Sequence, residues 1–409
     1  MTSLAHAGDF GWLEGGEVAR LIALLDRDGE EARVIGGAVR NALLKLPVGE
    51  VDVATTALPE EVMRRVEAAG GKAIPTGIDH GTVTAVIDGR AFEVTTLRED
   101  VETFGRKARV KFGRDWSADA ARRDFTINAL SVAADGTVHD YLGGLDDIAA
   151  RRVRFVGDPR RRIEEDYLRI LRFFRFHAQF DHGAPDAAGV AACIAARGGV
   201  QTLSRERVRA ESLKLLGAAR ATPTLAVMSE SGILGPVLGG VAHLASFENM
   251  IKVEAAVGME PDALRRLGAL GVWVAEDAER LTRRLRLANA ESERLLALER
   301  WWQVAPAAGE QTARALLYSL GPQSFADRVL VAWTRSAASA TDASWRELAS
   351  LPQRWTAPAF PLKAADFMRR GVAAGPALGA ALRAAEAAWI AADFPLDRAA
   401  LDAIADRAV

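Results

Sequence analysis

Residues 33–56, RVIGGAVRNALLKLPVGEVDVATT, constrain the fold of this chain more than any other stretch. An apolar run stops at two glycines, and a helix-compatible segment carrying Arg40 follows. Two carboxylates one residue apart, Glu50 and Asp52, then open a second β-rich run. The pattern predicts a strand, a tight turn into a helix, and a second strand. The neighbouring segments extend it. LPEEVMRRVEAAG predicts a helix with Pro59 and acidic residues in its first turn. TVTAVIDGRAFEVTTL predicts a hairpin that turns at Asp88-Gly89. REDVETFGRKARVKFGRDWSADAARRD is long, charged and weakly patterned, which predicts a mobile loop. FTINALSVAADGTVHDYLGGLDDI returns through strand and turn residues, so the first 150 residues read as a small α+β unit.

Beyond Arg151 the periodicity is nearly all helical, in segments such as RIEEDYLRILRFFRFHAQF and SRERVRAESLKLLGAAR. At 409 residues the chain is too long for one core. It divides on sequence into 1–150, a helical segment 151–220, and a further helical region 221–409 that holds seven of the nine tryptophans, expected in its core. With 52 basic against 54 acidic residues the net charge is −2, so any polyanion-binding surface has to be local. One cysteine, Cys193, excludes an intrachain disulfide framework and fits a reducing compartment. The opening MTSLAHAGDFGWLEGG has neither a basic flank nor an apolar core, and no apolar run approaches membrane-spanning length; a cytoplasmic protein without a membrane association is expected.

Four clusters can carry chemistry. Gly36 and Gly37 have no Cβ, so a phosphate can approach the backbone there, and Arg40 one turn on adds a fork of donors. The alternative is an ordinary structural turn, because neither common Gly-rich nucleotide motif is present. Glu50 and Asp52, two apart in a strand, point to one face, where adjacent anions repel unless a cation lies between them. Oxygen ligands of this kind suit Mg²⁺ and triphosphate together; the alternative is a solvated strand face. AARRDFTINAL places Arg122 and Arg123 before Asp124 and Asn128, as phosphate or ribose donors or as a charged strand entry. In EEDYLRILRFFRF a single helix puts Asp166, Arg169 and Arg172 on one face, with Arg175 almost opposite Asp166. Asp166 and Arg169 together present an acceptor and a donor fork that suit a nucleobase edge, or else form a surface ion pair. Glu93 is a possible third acid beside the first two. His80 reads as a turn residue and Asp119 as a structural partner for arginines. His139-Asp140 lacks the companion histidines of a metal phosphohydrolase.

In order, GGAVRNALL with EVD, RRDFTINAL, YLGGLDDI, GDPRRRIEEDYLRILR and LSRERVRAE resemble the bacterial class II tRNA nucleotidyltransferases. These are the CCA-adding enzymes and their poly(A) polymerase relatives, and the resemblance covers about residues 30–215. It implies an α+β fold in which a small nucleotidyltransferase head with a mixed sheet is followed by an all-α neck, body and tail. It implies that Gly36, Gly37 and Arg40 meet the triphosphate, that Glu50 and Asp52 carry two Mg²⁺ ions, and that Arg122 and Arg123 contact the nucleotide. Asp166, Arg169, Arg172 and Arg175 fall on the helix that reads the incoming base, with Glu206, Arg207 and Glu211 supporting it. The implied reaction is template-independent addition of CCA to the tRNA 3′ end from CTP and ATP, with pyrophosphate released. The implied partner is tRNA, through its 3′ end and acceptor arm, and no protein partner is evident.

Two positions depart from the family pattern. Glu50 stands where aspartate is usual, and Asn41 where aspartate is frequent. Three other readings share the motifs: a poly(A) polymerase, an enzyme adding only C or only A, and a tRNA-binding protein with an inert head.

Overall fold

A computed structural model describes residues 10–104 and 107–409. Residues 1–9, part of the opening segment read as carrying no leader, and residues 105–106, within the segment read as a mobile loop, lie outside the described residues. The chain divides into two compact units, Met1–Val237 and Leu238–Val409.

The first unit is built on a seven-stranded mixed sheet. Helix α1 (Gly16–Leu25) precedes β1 (Ala32–Ile35), and α2 (Gly37–Leu43) leads to β2 (Asp52–Thr55). Helix α3 (Pro59–Ala68) then connects to β3 (Lys72–Gly77), β4 (Thr82–Ile87) and β5 (Arg90–Thr96). Pro59 occupies the first turn of α3 as expected, because a helix start needs no N–H there. The β4–β5 hairpin turns at Asp88 and Gly89 with φ of 50° and 83°, the left-handed pair that this turn requires. Strands β8 (Ser131–Val132) and β9 (Val138–His139) complete the order β3-β4-β5-β2-β1-β8-β9. Val34, Val53, Val83, Phe92 and Val94 are buried along the sheet, and Leu21, Ile22 and Val66 pack from the helices.

The segment expected to be a mobile loop contains a separate two-stranded sheet, β6 (Arg98–Phe104) with β7 (Lys107–Phe112), followed by α4 (Trp116–Ala121). The two strands pair through their backbones, which the charge-rich sequence hid. The chain then runs through α5 (Gly144–Ala149) into the helices α6 (Pro159–Glu165), α7 (Leu168–Phe180), α8 (Ala187–Ala196), α9 (Arg205–Leu216) and α10 (Ala221–Glu230).

The periodicity of residues 164–176 predicts one helix, yet the chain breaks at Asp166 (φ −156°, ψ 107°). The reason is local. The Asp166 carboxylate accepts from the Leu168 N–H at 3.1 Å, and its carbonyl accepts from the Arg169 N–H at 3.0 Å. The aspartate thus supplies the first turn of α7 with partners that a continuous helix would have taken from the chain before it.

The second unit is helical, as expected. Its longest helix runs Glu310–Thr334 but is kinked at Gly321 (φ 73°), immediately before Pro322. Trp333, Trp345 and Trp389 are buried in its cores, whereas Trp273 and Trp302 are 40% and 53% exposed, so the tryptophans are not all core. Its interior also holds a charge network: Arg265 and Arg266 bond Glu254, and Arg265 and Arg294 share Asp327. Among the described residues no helix is long and apolar enough to cross a membrane.

Candidate active site

Strand β1 ends where Gly36 adopts φ 69°, ψ −119°, a conformation that L side chains rarely take. A Cβ at Gly36 would also lie 3.5 Å from an Arg123 guanidinium nitrogen. The backbone therefore stays bare on the side facing the arginines. Helix α2 has only two turns, so its dipole adds little, and the charge at this bend is Arg40. Arg40 is 8% exposed and lies over the rings of Phe180 and Phe176 at 4.3 and 5.1 Å. It donates to the amide oxygens of Asn128 (2.5 Å) and Asn41 (2.9 and 3.2 Å). Among the described residues no carboxylate pairs with it. Burial, then the neighbouring Arg175 cation, push its pKa down to about 10, with Asp124 acting the other way. A buried cation held only by neutral amides is an incomplete ion pair, and an anion entering the cleft completes it.

Register brings the first acid to this bend. Ile35, the residue before Gly36, pairs with Asp52 in the antiparallel β1–β2 ladder. Because β1 stops there, residues 50 and 51 have no strand to pair with, and Glu50 lies before β2 rather than in it as expected. Alternation still holds: Glu50 and Asp52 are exposed on either side of buried Val51. On the other flank β5 pairs in parallel with β2, setting Glu93 beside Asp52. Although the Asp52 surface is open to solvent, the surrounding cleft crowds its carboxyl. The carboxyl is held above the usual carboxylate range, chiefly by that desolvation and then by the Glu93 and Glu50 charges, with Arg123 opposing. A carboxyl burdened by two neighbouring acids is one that a divalent cation relieves, so the donor set fits Mg²⁺. Among the described residues no three Asp, Glu, His or Cys side chains form a ready-made cage. Mg²⁺ needs none, since it binds through one or two carboxylates and takes the rest of its shell from water and phosphate oxygens.

A cleft of about 510 Å³ opens at the bend and contains Gly36, Gly37, Arg40, Asp52, Arg122, Arg123, Asp166, Arg169, Arg172 and Arg175. Glu50 does not line it, and neither does Glu93, the possible third acid. Seven arginines and three aspartates face this space. Arg122 and Arg123 share Asp119, whose pKa burial would raise but which the two guanidiniums hold below the ordinary value. Arg169 bonds Glu165 and the Arg162 carbonyl rather than Asp166. Asp166 instead takes both guanidinium nitrogens of Arg207 from α9, at 2.6 and 3.2 Å. Arg172 bonds Asp124 at 2.7 and 2.6 Å. Arg175 bonds Glu211, which also lies 3.8 Å from Arg172. The alternative reading, an Asp166–Arg169 surface pair, does not form, and both side chains line the cleft, Asp166 at the helix break and Arg169 in the first turn beyond it.

Sequence reasoning missed Asp124, Asn128 and Phe176 as cleft residues; Arg207 and Glu211, read as supports of the base-reading helix, do hold Asp166 and Arg175. Asn128 and Asp124 stood inside a quoted motif, so the signal was present but not its direction. Arg207 comes from 41 residues beyond Asp166, and only packing of α9 on α7 brings it there. Asp140 accepts from the N–H groups of Leu142, Gly144 and Leu145, which gives the His139-Asp140 pair a structural role.

A mixed-sheet head with paired acids beside a diglycine bend, opening on an arginine-lined cleft, defines a nucleotidyltransferase. Residues 32–154 match the family model described as the Poly A polymerase head domain. The human mitochondrial CCA tRNA nucleotidyltransferase 1 is 33% identical over 384 residues, spanning 92% of this chain and 87% of the human protein. The CCA-adding enzyme of Geobacillus stearothermophilus is 38% identical over 243 residues, 59% of this chain and 58% of its own. The crystal structure of the Bacillus stearothermophilus CCA-adding enzyme in complex with CTP is similar at a TM-score of 0.74 and 29% identity, covering 96% of each chain. The chain belongs to the family of CCA-adding tRNA nucleotidyltransferases.

Proposed function

We propose that this protein completes the 3′ end of tRNA by adding C, C and A from CTP and ATP without a nucleic-acid template. The observation that carries the reading is Arg40: a buried guanidinium with only amide partners, at a bend whose flanking strand presents Asp52. Relatives aligned along nearly the whole chain support the same reading.

In this mechanism the RNA's terminal hydroxyl attacks the α-phosphorus, a new oxygen–phosphorus bond forms, and pyrophosphate leaves. Gly36 and Gly37 admit the triphosphate to the backbone, and Arg40, Arg122 and Arg123 hold its oxygens. Asp52, with Glu93 and Glu50, would hold Mg²⁺, which when bound acidifies the attacking hydroxyl and neutralises charge on the leaving phosphates. Asp166 accepts from, and Arg169 donates to, the edge of the base, while Arg207 fixes the Asp166 carboxylate as acceptor. Arg172 and Arg175 shape the floor of the base site. The helical region 221–409 supplies lysine and arginine contacts to the tRNA backbone.

The test is incorporation of labelled CTP and ATP into tRNA lacking its 3′ end, with Mg²⁺. Sequential C, C, A addition is expected. Binding of that tRNA without incorporation would replace this reading with that of an inert head on an RNA-binding protein.

A further inference from the structure

Arg40 and Arg172 approach the same aromatic ring, Phe176, at 5.1 and 5.2 Å from its centre, yet they come from different elements. Arg40 belongs to the diglycine bend and Arg172 to α7. Like charges this close repel, and nothing in either element alone orients one to the other. One side chain connects them. The Asn128 amide oxygen accepts from Arg40 at 2.5 Å, and its NH₂ donates to Asp124 at 3.1 Å. The other Asp124 oxygen takes Arg172 at 2.7 Å. Asn128 is 7% exposed and sits on a short 3₁₀ turn, Thr126–Asn128, whose N–H groups are tied to the backbone, so it has little freedom to bond elsewhere. Asn41, the second partner of Arg40, points away from Asp124, its NH₂ bonding the Pro47 carbonyl.

We propose that Asn128 is a positioning residue that couples the triphosphate end of the cleft to the base-reading end. Resting on the function proposed above, the inference is that the amide is required because it is neutral and two-faced. Its oxygen orients Arg40 without cancelling the charge meant for phosphate, and its NH₂ holds Asp124 against Arg172. A carboxylate at 128 would keep the first bond, repel Asp124, and neutralise Arg40. An apolar residue would leave both Arg40 and Asp124 without a buried partner. Binding at one end and binding at the other are thereby linked through a single chain of bonds, and the linkage is reciprocal.

The experiment is a mutant cycle read by the Kd for CTP, measured by calorimetry on the full chain without RNA. R40K and R172K are made singly and together, in the natural protein and in N128A and N128D. With Asn128 present the two lysine changes are expected to be non-additive by roughly tenfold in Kd, as for groups in one bonded network. In N128A the non-additivity is expected to fall to about twofold or less, the scatter of independent sites. N128D, nearly the same shape, is expected to lose it too and to bind CTP more weakly than N128A. Circular dichroism and melting curves establish that each variant is folded. Additivity already present with Asn128, persistence of the coupling in either variant, or failure of both variants to fold would overturn the proposal and leave Asn128 a packing residue. Failure of the natural protein to bind CTP would instead strike the function on which it rests.

Discussion

Gly199→Ala tests the geometry of the reading helix from a position that touches no substrate. A Cβ built on Gly199 would lie 2.1, 2.3 and 2.4 Å from the Tyr167 ring atoms Cδ1, Cγ and Cε1. Carbon atoms in contact sit at about 3.5–4.0 Å, so the ring must retreat by well over an ångström or the 3₁₀ segment Arg197–Thr202 must lift. The clash includes Cγ, where the ring joins its side chain, so rotation of the ring about its own axis cannot remove it. Tyr167 follows Asp166 in the break between α6 and α7, so the retreat is passed to the carboxylate held by Arg207. Overpacking of this kind costs about 1–3 kcal/mol, leaving the unit folded at 25 °C. Displacing a substrate-orienting group by about an ångström can cost on the order of a hundredfold in kcat/KM. The expected outcome is a melting temperature lowered by a few degrees and a much larger loss in nucleotide addition. G199A combined with Y167A should recover stability, because the clash is gone, but not full activity. Natural stability and kinetics in G199A would refute the argument that Gly199 is required by the Tyr167 ring. Lowered stability with unchanged addition would refute the argument that this packing positions Asp166.

Asp124→Asn removes the principal partner of half-buried Arg172, leaving only Glu211 at 3.8 Å, and should cost about 1.5–3 kcal/mol at neutral pH by denaturant titration. Burial alone would raise the Asp124 pKa, but Arg172 and the Asn128 amide hold it below the ordinary value. Its contribution is therefore present above the unfolded carboxylate pKa of about 3.9 and lost as pH falls through the lower folded value. The gap between natural and variant stability should close below about pH 4; a gap that widens in acid would contradict the sign. Asp119→Asn removes the acid shared by Arg122 and Arg123 and leaves the cleft more positive. If orientation matters more than charge, KM for CTP rises by about tenfold, the scale of one charge-assisted hydrogen bond; a lower KM would favour bulk charge. Asp327→Asn in the second unit strips Arg265 and Arg294 of a common partner and should cost about 3–5 kcal/mol in thermal unfolding, with CTP binding to the first unit unchanged. Burial pushes the Cys193 thiol well up, so a thiol reagent should label it only on unfolding; rapid labelling of the native protein would place it at the surface.

Much of this could be read from residues 33–56 because the information there is local. A diglycine after an apolar run gives a turn, and the turn brings a strand end and a helix start together. What could not be read was register. Asp52 meets the bend because it pairs with Ile35, and Glu93 joins it because β5 lies parallel to β2 after α3, β3 and β4 intervene. Pairings set by a whole sheet leave no mark in a short window. The break at Asp166 was hidden for the opposite reason: apolar spacing runs straight through residues 164–176, and the capping preference of one aspartate overrides it. Glu50 shows the same limit, since a strand ends where its partner ends, whatever its own alternation suggests.

The net charge of −2 concealed the cleft because seven arginines gather there beside only three aspartates, with further acids placed behind them. Asp119 serves Arg122 and Arg123, Glu165 serves Arg162 and Arg169, and Glu211 serves Arg175 and, more distantly, Arg172. Arg172 has Asp124 as its own counter-ion, whereas Asp119 and Glu165 each hold two guanidiniums. Arg40 carries this furthest, with amides in place of any acid. The result is an array oriented before a ligand arrives, which lowers the ordering cost of binding, and still short of anions, which a triphosphate supplies. Lysine could not replace arginine in this role, because a single ammonium cannot bond an acid behind it and a phosphate in front in one fixed plane. The same logic explains why the acids beside the bend differ from those behind the arginines. The Glu93 and Glu50 charges outweigh Arg123 at Asp52, so this side of the bend is short of cations as the arginine array is short of anions. A metal-bound nucleotide is the ligand that answers both deficits at once.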